Sequence, residues 1–300
     1  MKSILIIGGS GFVGSVFTKY FSQKYSIHVT YNKNKPYFDI PSSKIDLIEN
    51  KQEIQDLILT LKPDIIFHTV AYPSVDFCEQ NHELTDDLHV NSIRKISDVA
   101  KMVNSKLIFL STDAVFNSMD KIKFNEDDKT NPINYYGKSK LSAEKIVLNS
   151  SEQNIVLRTS VIYGWHEKSR FTNWIISSLE NSKIVDPFID QYNTPTLVDD
   201  LVKSIQYIIE KNISGLFHAT GKTCLNRYEF ALIIADIFNL NQNLIKSVTK
   251  LEKKQDAPRP FNSCLDSSKL EDFLEFEFSD IKKGVNFIFK SKQNNKENFS

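Results

Sequence analysis

The sequence predicts an α/β fold in which a doubly wound parallel sheet carries a smaller mixed C-terminal lobe. Short β-branched runs alternate with longer amphipathic stretches from the N-terminus, and this alternation is typical of right-handed βαβ units. Two of the runs, residues 64–70 and 106–111, are almost continuously apolar, as expected of strands that helices cover on both faces. A length of 300 residues suits one large domain with a smaller appended lobe.

The individual elements follow from the same patterns, taken in chain order. Strands are predicted at Ile4–Ile7, Ile27–Tyr31, Ile65–Val70, Leu107–Leu110 and Gly215–Thr220. Helices are predicted at Phe12–Phe21, Ile54–Leu61, His89–Val103, Val198–Ile209 and Arg227–Phe238. These elements divide the chain into a sheet domain over residues 1–162, to which a later segment at about 190–220 returns, and a second, substrate-binding lobe over residues 163–290. Residues 291–300 are polar and are expected to form a frayed tail.

Composition excludes several classes of function. The chain has 37 basic and 37 acidic residues, so it lacks the net positive field that draws a protein onto nucleic acid. No apolar run reaches the roughly 18 residues of a membrane span, and we expect a cytoplasmic protein with no membrane partner. Cys78, Cys224 and Cys264 show no CxxC spacing and the histidines are scattered, so we predict three free thiols and no metal site.

A glycine-rich turn follows the first predicted strand immediately. Residues 8–14 read Gly-Gly-Ser-Gly-Phe-Val-Gly, and an amphipathic stretch continues from them. In such a turn Gly8 permits the tight bend, Gly11 lets the backbone approach a pyrophosphate, and Gly14 allows close helix packing. The helix N-terminus adds unpaired N–H donors. The motif predicts a Rossmann-like dinucleotide site that is formed by Gly8, Ser10, Gly11, Phe12, Val13 and Gly14.

The second predicted strand bears on the choice of dinucleotide. An acidic residue at its end commonly binds the ribose of NAD, but here the chain continues with Thr-Tyr-Asn-Lys at residues 30–33. The missing acid and Lys33 favour NADP over NAD, although Lys33 as an ordinary solvated residue is an equal alternative. Asp46 and Leu47 are candidates for contact with the adenine edge, and a plain loop role for Asp46 stays open.

Tyr136 and Lys140 form the first part of a candidate catalytic group. They lie four residues apart in a stretch that favours helix, so both side chains can act on one ligand. A tyrosine with a pKa near 10 is a weak acid–base catalyst at neutral pH, and an ammonium about 4 Å away is expected to lower that pKa toward the working range. Tyr136 then suits proton donation to a carbonyl oxygen. The spacing alone also arises by chance on solvated helix faces.

The second part comes from the preceding strand, which ends in Ser111, Thr112 and Asp113. Carboxyl ends of parallel strands are where α/β folds hold their ligands. A hydroxyl there can donate to the same substrate oxygen as Tyr136 and stabilise a developing alkoxide. We therefore assign Thr112 to the catalytic group, with Ser111 and Asp113 as substrate contacts. The alternative is a Ser-Thr-Asp turn that satisfies its own backbone.

Together these motifs resemble the extended short-chain dehydrogenase/reductases, and within them the dTDP-4-dehydrorhamnose reductase family. Beyond the glycine turn, the resemblance rests on residues 71–79, 90–91, 111–116, 136–144, 157–164, 191–196 and 259–266, and so covers nearly the whole chain. It implies a triad of Thr112, Tyr136 and Lys140, with the lysine also touching the nicotinamide ribose. Further residues that it implies are Ala71, Tyr72 and Asn91 for the cofactor and Arg259 for the nucleotide part of a substrate. A surface role for Arg259 stays open.

The resemblance implies reduction of the keto group of a nucleotide-activated sugar with NADP(H) or NAD(H), and it leaves a homodimer open. Two departures, Ala114 in place of a common tyrosine and Asn117-Ser118 in place of Asp-Gly, leave the sugar undefined. A dehydratase is disfavoured because Asp113 is not followed by the glutamate that would act at the neighbouring ring carbons. The alternatives are a nucleotide-sugar 4-epimerase and a non-catalytic NADP-binding subunit resembling the regulatory subunit of methionine adenosyltransferase.

Overall fold

Seven parallel strands form the central sheet. The computed structural model describes residues 1–36 and 39–297, with side chains as far as residue 294. In chain order the strands are β1 (Ser3–Ile7), β2 (Ser26–Tyr31), β3 (Ser42–Lys44), β4 (Ile65–His68), β5 (Lys106–Thr112), β6 (Ile155–Thr159), β7 (Ile162–Tyr163), β8 (Tyr192–Asn193), β9 (Thr196–Leu197), β10 (Gly215–His218) and β11 (Leu225–Asn226). The sheet has the order β10-β6-β5-β4-β1-β2-β3, which confirms the predicted doubly wound, Rossmann-like fold.

Helices cover both faces of this sheet. In chain order they are α1 (Phe12–Phe21), α2 (Lys51–Leu61), α3 (Val75–Gln80), α4 (His82–Asp86), α5 (Ser92–Met102), α6 (Tyr135–Ser150), α7 (Arg170–Glu180), α8 (Val198–Glu210), α9 (Arg227–Ile237), α10 (Ser268–Glu271) and α11 (Ile281–Glu297). Because successive strand residues point to opposite faces, Ile4 and Ile6 pack with α1 and α8, whereas Leu5 and Ile7 pack with α2 and α5. The faces of these strands are therefore covered by helices.

The C-terminal lobe has a hydrophobic core of its own, contributed mainly by α7, α9 and α11. Two small sheets, an antiparallel pair of β8 with β11 and a parallel pair of β7 with β9, complete it. Strand β10, which lies between β9 and β11 in the sequence, instead pairs with β6 at the edge of the main sheet. No helix in the described part of the chain is both long enough and apolar enough to cross a membrane.

The end of the chain differs from the expected frayed tail. Helix α11 continues to Glu297, so residues 291–297 are helical, and residues 298–300 lie outside the described residues. Lys292 contributes to this extension, because it pairs with Glu180 and lies 5.7 Å from the ring centre of Trp165. Contacts with distant residues therefore support a helix that its local composition does not favour.

The prediction of three free thiols is wrong for two of them. Cys224 and Cys264 form a disulfide, with their Cα atoms 5.6 Å apart, whereas Cys78 is a buried free thiol. The two partners are 40 residues apart in the sequence. Their proximity arises from the folding of the second lobe, so the sequence spacing carries no sign of it. The bond joins the segment before α9 to the segment before α10.

Loss of this bond is expected to destabilise the protein. The double variant Cys224→Ser/Cys264→Ser should have a free energy of unfolding lower by about 2–4 kcal/mol, because the cross-link restricts the unfolded chain. Urea unfolding followed by circular dichroism measures the difference. A phosphine reductant should produce the same loss in the wild type and none in the variant. Equal stability of the variant and the oxidised wild type would contradict a bond in solution.

Candidate active site

A cavity of about 1090 Å³ lies at the carboxyl ends of the strands, between the sheet and the second lobe. The sheet domain lines it with Gly11, Phe12, Val13, Thr69, Ala71, Tyr72, Ser111, Thr112, Asp113, Tyr136 and Lys140. The second lobe faces them with Phe171, Trp174, Arg227 and Arg259, among others. Open α/β sheets hold their ligands at this position.

The glycine turn at one end of the cavity fits a dinucleotide pyrophosphate. Gly8 has a φ of 93°, which glycine adopts without strain. A Cβ on Gly14 would lie 2.5 Å from the carbonyl oxygen of Gly8, whereas one on Gly11 would meet only that oxygen, at 3.1 Å. Gly11 is the N-cap of α1 and has an extended backbone. Because it is glycine, no side chain covers the N-terminus of the helix. The first N–H groups of the helix are therefore available to an anion.

The remaining cofactor candidates take different positions. Ala71 and Tyr72 line the cavity, and the carbonyl oxygen of Ser10 accepts a hydrogen bond from Lys168, a residue that was not predicted. Asn91 is exposed, and its amide donates to Asp87 at 2.9 Å. It therefore lies apart from the cavity lining, and so does Leu47, which is a core residue.

An acidic residue does lie beside the end of β2, although β2 itself supplies none. The carboxylate of Asp46 accepts a hydrogen bond of 2.7 Å from the amide of Asn32. Burial acts to raise the pKa of Asp46, but N–H donors, among them those of Ile48 and Glu49, and the charge of Lys33 hold it below its ordinary value. The carboxylate of Asp46 and the charge of Lys33 are thus both present near the end of β2. Asp46 could therefore take the place of the acidic residue that β2 lacks. The missing acid consequently favours NADP over NAD less strongly than the sequence indicated.

The three candidate catalytic residues meet at the end of β5. Tyr136 and Lys140 project from α6 into the cavity, and Thr112 is the last residue of β5. Lys140 is 2% exposed, and its Nζ donates to the carbonyl oxygen of Leu110 at 2.6 Å. The hydroxyl of Thr112 lies 3.2 Å from Oδ1 of Asp113, to which it donates. The sequence-predicted group is therefore assembled, while its catalytic role stays a proposal.

Burial controls the protonation of this group. It raises the pKa of the Tyr136 phenol above its ordinary value, and the neighbouring hydroxyl of Thr112 only partly opposes this. Burial also lowers the pKa of Lys140 to about 7, against the opposing charge of Glu144. The expected lowering of the tyrosine pKa by the lysine is therefore wrong, because desolvation of the buried phenol is the largest influence on its pKa. Tyr136 keeps its proton, which is the state that a proton donor requires.

The hydroxyl groups of Ser111 and Thr112, at the end of β5, already form hydrogen bonds within the protein. The hydroxyl of Ser111 donates to the carboxylate of Glu144. Thr112 accepts a hydrogen bond of 3.1 Å from the N–H of Ala114, so the self-satisfying turn considered as an alternative does form. Ser111 as a substrate contact stays a prediction, and the geometry gives its hydroxyl a structural role.

Asp113 connects the sheet domain to the second lobe. Its Oδ2 accepts hydrogen bonds from the hydroxyls of Ser160 and Ser263, both at 2.7 Å, and from the amide of Asn193 at 2.9 Å. Asp113 is 8% exposed, and these three donors supply hydrogen bonds to its buried carboxylate. Contact of Asp113 with a substrate stays a prediction, whereas its part in holding the lobes together is visible in the structure.

Arg227, at the start of α9, is a candidate that was not predicted from the sequence. Burial lowers its pKa to about 10, with the charge of Asp113 acting in the opposite direction. Its guanidinium lies 5.2 Å from the ring centre of Phe171, and no ion-pair partner is found for it among the described residues. Arg259, by contrast, pairs with Asp76 at 2.8 Å. The sequence showed an arginine at a helix start but not which cavity it faces.

The parallel sheet, the glycine turn and the Tyr–Lys pair in one cleft define the extended short-chain dehydrogenase/reductase fold. A family model described as the RmlD substrate binding domain matches residues 1–294. The chain belongs to this family, which includes the dTDP-4-dehydrorhamnose reductases.

Similar proteins include both a dTDP-4-dehydrorhamnose reductase and a subunit of methionine adenosyltransferase. The dTDP-4-dehydrorhamnose reductase of Aggregatibacter actinomycetemcomitans is 29% identical, over 96% of this chain and 98% of its own. Methionine adenosyltransferase 2 subunit beta of Xenopus laevis is 32% identical, over 90% of this chain and 82% of its own. The crystal structure of dTDP-4-dehydrorhamnose reductase from Bacillus anthracis, in complex with NADP, has a TM-score of 0.86 at 25% identity and covers 97% of this chain and 100% of that chain.

Solved structures of this fold contain either dinucleotide. The Bacillus anthracis reductase is a complex with NADP. A dTDP-glucose 4,6-dehydratase from the same organism is a complex with NAD; it is 20% identical with a TM-score of 0.82, and covers 99% of this chain and 98% of its own. The likeness to the dehydratase shows the fold alone.

Two alanine substitutions in the glycine turn are expected to have different effects. Gly14→Ala should lower the free energy of unfolding by about 1–3 kcal/mol, because its methyl group meets backbone that cannot move aside. Gly11→Ala should change stability by less than about 1 kcal/mol but weaken NADPH binding, since its methyl group stands where a pyrophosphate would approach. Urea unfolding and a fluorescence titration with NADPH measure the two effects. Wild-type stability of Gly14→Ala would be incompatible with the close packing described.

Proposed function

We propose that the protein is an NAD(P)H-dependent reductase of a nucleotide-activated 4-keto sugar. NADP(H) is the favoured cofactor and a dTDP-4-dehydrorhamnose-like sugar the favoured substrate. The observation that carries the proposal is the convergence of Thr112, Tyr136 and Lys140 on the cavity that the glycine turn also lines. Membership of the RmlD family and similarity to dTDP-4-dehydrorhamnose reductases support it.

Each residue of the group has a separate task in this reaction. The reduced nicotinamide of NAD(P)H, when bound, would supply the hydride for the keto carbon and leave as NAD(P)⁺. Tyr136 gives a proton to the keto oxygen, and burial favours the protonated phenol that this step needs. The hydroxyl of Thr112 orients the phenol and stabilises charge on the same oxygen. Lys140 holds the cofactor ribose and, when protonated, supplies positive charge to the cleft.

The charge and aromatic surface of the second lobe support an anionic nucleotide as part of the substrate. Arg227 has no carboxylate partner among the described residues, and its planar guanidinium suits the oxygens of a diphosphate. Arg259 lines the same cavity. Phe171 and Trp174 offer ring surfaces on which a base can pack. A free keto sugar would leave these groups unused.

Two other functions are separated from the reductase by experiment. A 4-epimerase would use the same Tyr–Lys pair but keep its dinucleotide, so NAD retained through purification would favour it. The likeness to methionine adenosyltransferase 2 subunit beta favours a binding subunit. Co-purification with a methionine adenosyltransferase catalytic chain, without NADPH oxidation on any keto-sugar nucleotide, would select that function.

Tyr136→Phe is expected to lower kcat by at least about 10²-fold, because it removes only the proton donor. The dissociation constant for NADPH should stay within about threefold of the wild type, since the ring remains. NADPH oxidation with a panel of keto-sugar nucleotides and a fluorescence titration measure the two quantities. Tyr135→Phe is the matched control and should retain activity. Unchanged turnover in Tyr136→Phe would exclude this phenol as the acid.

Arg227→Gln should raise the KM for the nucleotide sugar by about 10–100-fold, the effect of losing a charged hydrogen bond of about 1.5–3 kcal/mol. The kcat should change by less than about threefold, because the contact is made equally in the ground and transition states. Steady-state kinetics at saturating NADPH test this. Arg94→Gln, on the exposed side of α5, is the control. A wild-type KM in Arg227→Gln would argue against an anionic group at this position.

A further inference from the structure

His89 is buried beside the candidate catalytic helix because the chain departs from a regular helix there. The continuous helix predicted over His89–Val103 is divided, and a π turn at Asp87–Asn91 precedes α5. A π turn accommodates an extra residue and occurs frequently at functional sites. His89 stands at its centre and is 2% exposed.

The two ring nitrogens of His89 bond to two different parts of the site. The backbone N–H of Tyr72, in the predicted cofactor segment, donates to Nε2 at 2.9 Å. Nδ1 lies 2.9 Å from the hydroxyl of Ser139, which donates to the backbone carbonyl oxygen of Tyr136 at 2.9 Å. A continuous chain of hydrogen bonds therefore runs from Tyr72 to Tyr136.

A single tautomer of His89 satisfies this chain. Nε2 must be unprotonated to accept from Tyr72, and Nδ1 must carry the proton because Ser139 uses its own hydrogen toward Tyr136. Burial, assisted by the charge of Lys140, lowers the pKa of His89 to about 3. The ring is therefore neutral at any working pH, and its donor and its acceptor keep fixed directions.

The imidazole ring also contacts both tyrosine rings. Its centre is 5.7 Å from that of Tyr136, edge-on at 80°, and 5.8 Å from that of Tyr72. The contact with Tyr136 is edge-to-face, an arrangement that is favourable for aromatic pairs. His89 thus holds both the backbone and the ring of Tyr136 relative to the cofactor segment. Neither His89 nor Ser139 lines the cavity, so any effect on chemistry passes through Tyr136.

We infer that His89 is a positioning residue that sets the distance between the cofactor segment at Tyr72 and the phenol of Tyr136. The inference rests on the proposed reductase function. Turnover depends steeply on this distance, since a displacement of about 1 Å can reduce it about 10²-fold. Ser139 is the intermediate link, because its hydroxyl passes the constraint from the imidazole to the first turn of α6.

Two substitutions separate the hydrogen bonds from the ring. His89→Phe keeps a ring but removes both polar partners, whereas His89→Gln keeps one acceptor and one donor. We expect kcat to fall about 10²-fold in His89→Phe and to recover to within about tenfold of wild type in His89→Gln. The stoichiometry of NADPH binding should be unchanged in both, which separates mispositioning from loss of folded protein. Wild-type turnover in His89→Phe, or an equal loss in both variants, would overturn the inference.

His82→Phe is the matched control. This exposed ring stacks on Tyr135, with ring centres 3.6 Å apart, and it precedes the π turn in the same helical region. The substitution is the same and the position is close, but His82 is not part of the hydrogen-bond chain. The kcat should therefore stay within about twofold of the wild type. A loss as large as in His89→Phe would show that the effect is not specific to the hydrogen-bond chain.

A measurement without turnover tests the chain independently of the reaction. The protein has six histidines, so ¹⁵N-histidine labelling gives a simple spectrum, and the His89 signals are assigned by their loss in His89→Gln. We expect a protonated Nδ1 and an unprotonated Nε2 on both sides of the ordinary histidine pKa of about 6.5. The opposite tautomer, or titration near that pH, would overturn the inference. Absence of wild-type turnover with this tautomer intact would reject the reductase function alone.

Discussion

The buried ion pair between Glu144 and Arg158 is the interaction on which the geometry of the cleft depends. The two residues are 2% and 3% exposed, and Nη2 of the arginine lies 2.8 Å from the carboxylate. Nε of the same guanidinium contacts both carboxylate oxygens, at 3.0 and 3.2 Å, and Ser111 adds a donor from β5. Removing one partner of such a pair destabilises a protein by about 3–5 kcal/mol. The pair therefore keeps β5, β6 and α6 in one fixed arrangement.

Helix α6 carries this arrangement to the cavity. Tyr136, Lys140 and Glu144 follow one another at intervals of four residues, so they share one face of the helix and fixing the last directs the other two. The helix also approaches the chain after β5 closely, since a Cβ on Gly137 would lie 2.3 Å from the carbonyl oxygen of Ala114. The position of the phenol is thus set largely by backbone packing, with side-chain hydrogen bonds refining it.

The parts of the fold that were predictable are those that local periodicity encodes. Helices α1, α8 and α9 lie within one residue of their predicted bounds, and the glycine turn and the Tyr–Lys spacing placed the cleft. The features that escaped prediction depend on contacts between distant segments. The pairing of Cys224 with Cys264, the approach of Asp46 to β2 and the direction of Arg227 arise only when the second lobe or a neighbouring strand folds into place. The pKa of Tyr136 is a further case, because desolvation is a property of the assembled core and not of the helix sequence.

Family membership leaves both an enzyme and a binding subunit open, so the chemistry of the cleft has to separate them. A lysine whose pKa is lowered to about 7, as that of Lys140 is, destabilises the folded protein by on the order of 4 kcal/mol at neutral pH. This penalty is complete below the folded pKa and disappears as pH rises through the ordinary lysine value, because the unfolded chain binds the proton more tightly. An apolar residue at the same place would avoid this penalty, but it would also lose the contact with the cofactor ribose that is proposed for Lys140. Buried ionisable groups of this kind are concentrated where a reaction needs them. The penalty indicates that Lys140 serves the cleft, in ribose binding, in catalysis or in both, and a measurement of turnover is what separates the two functions.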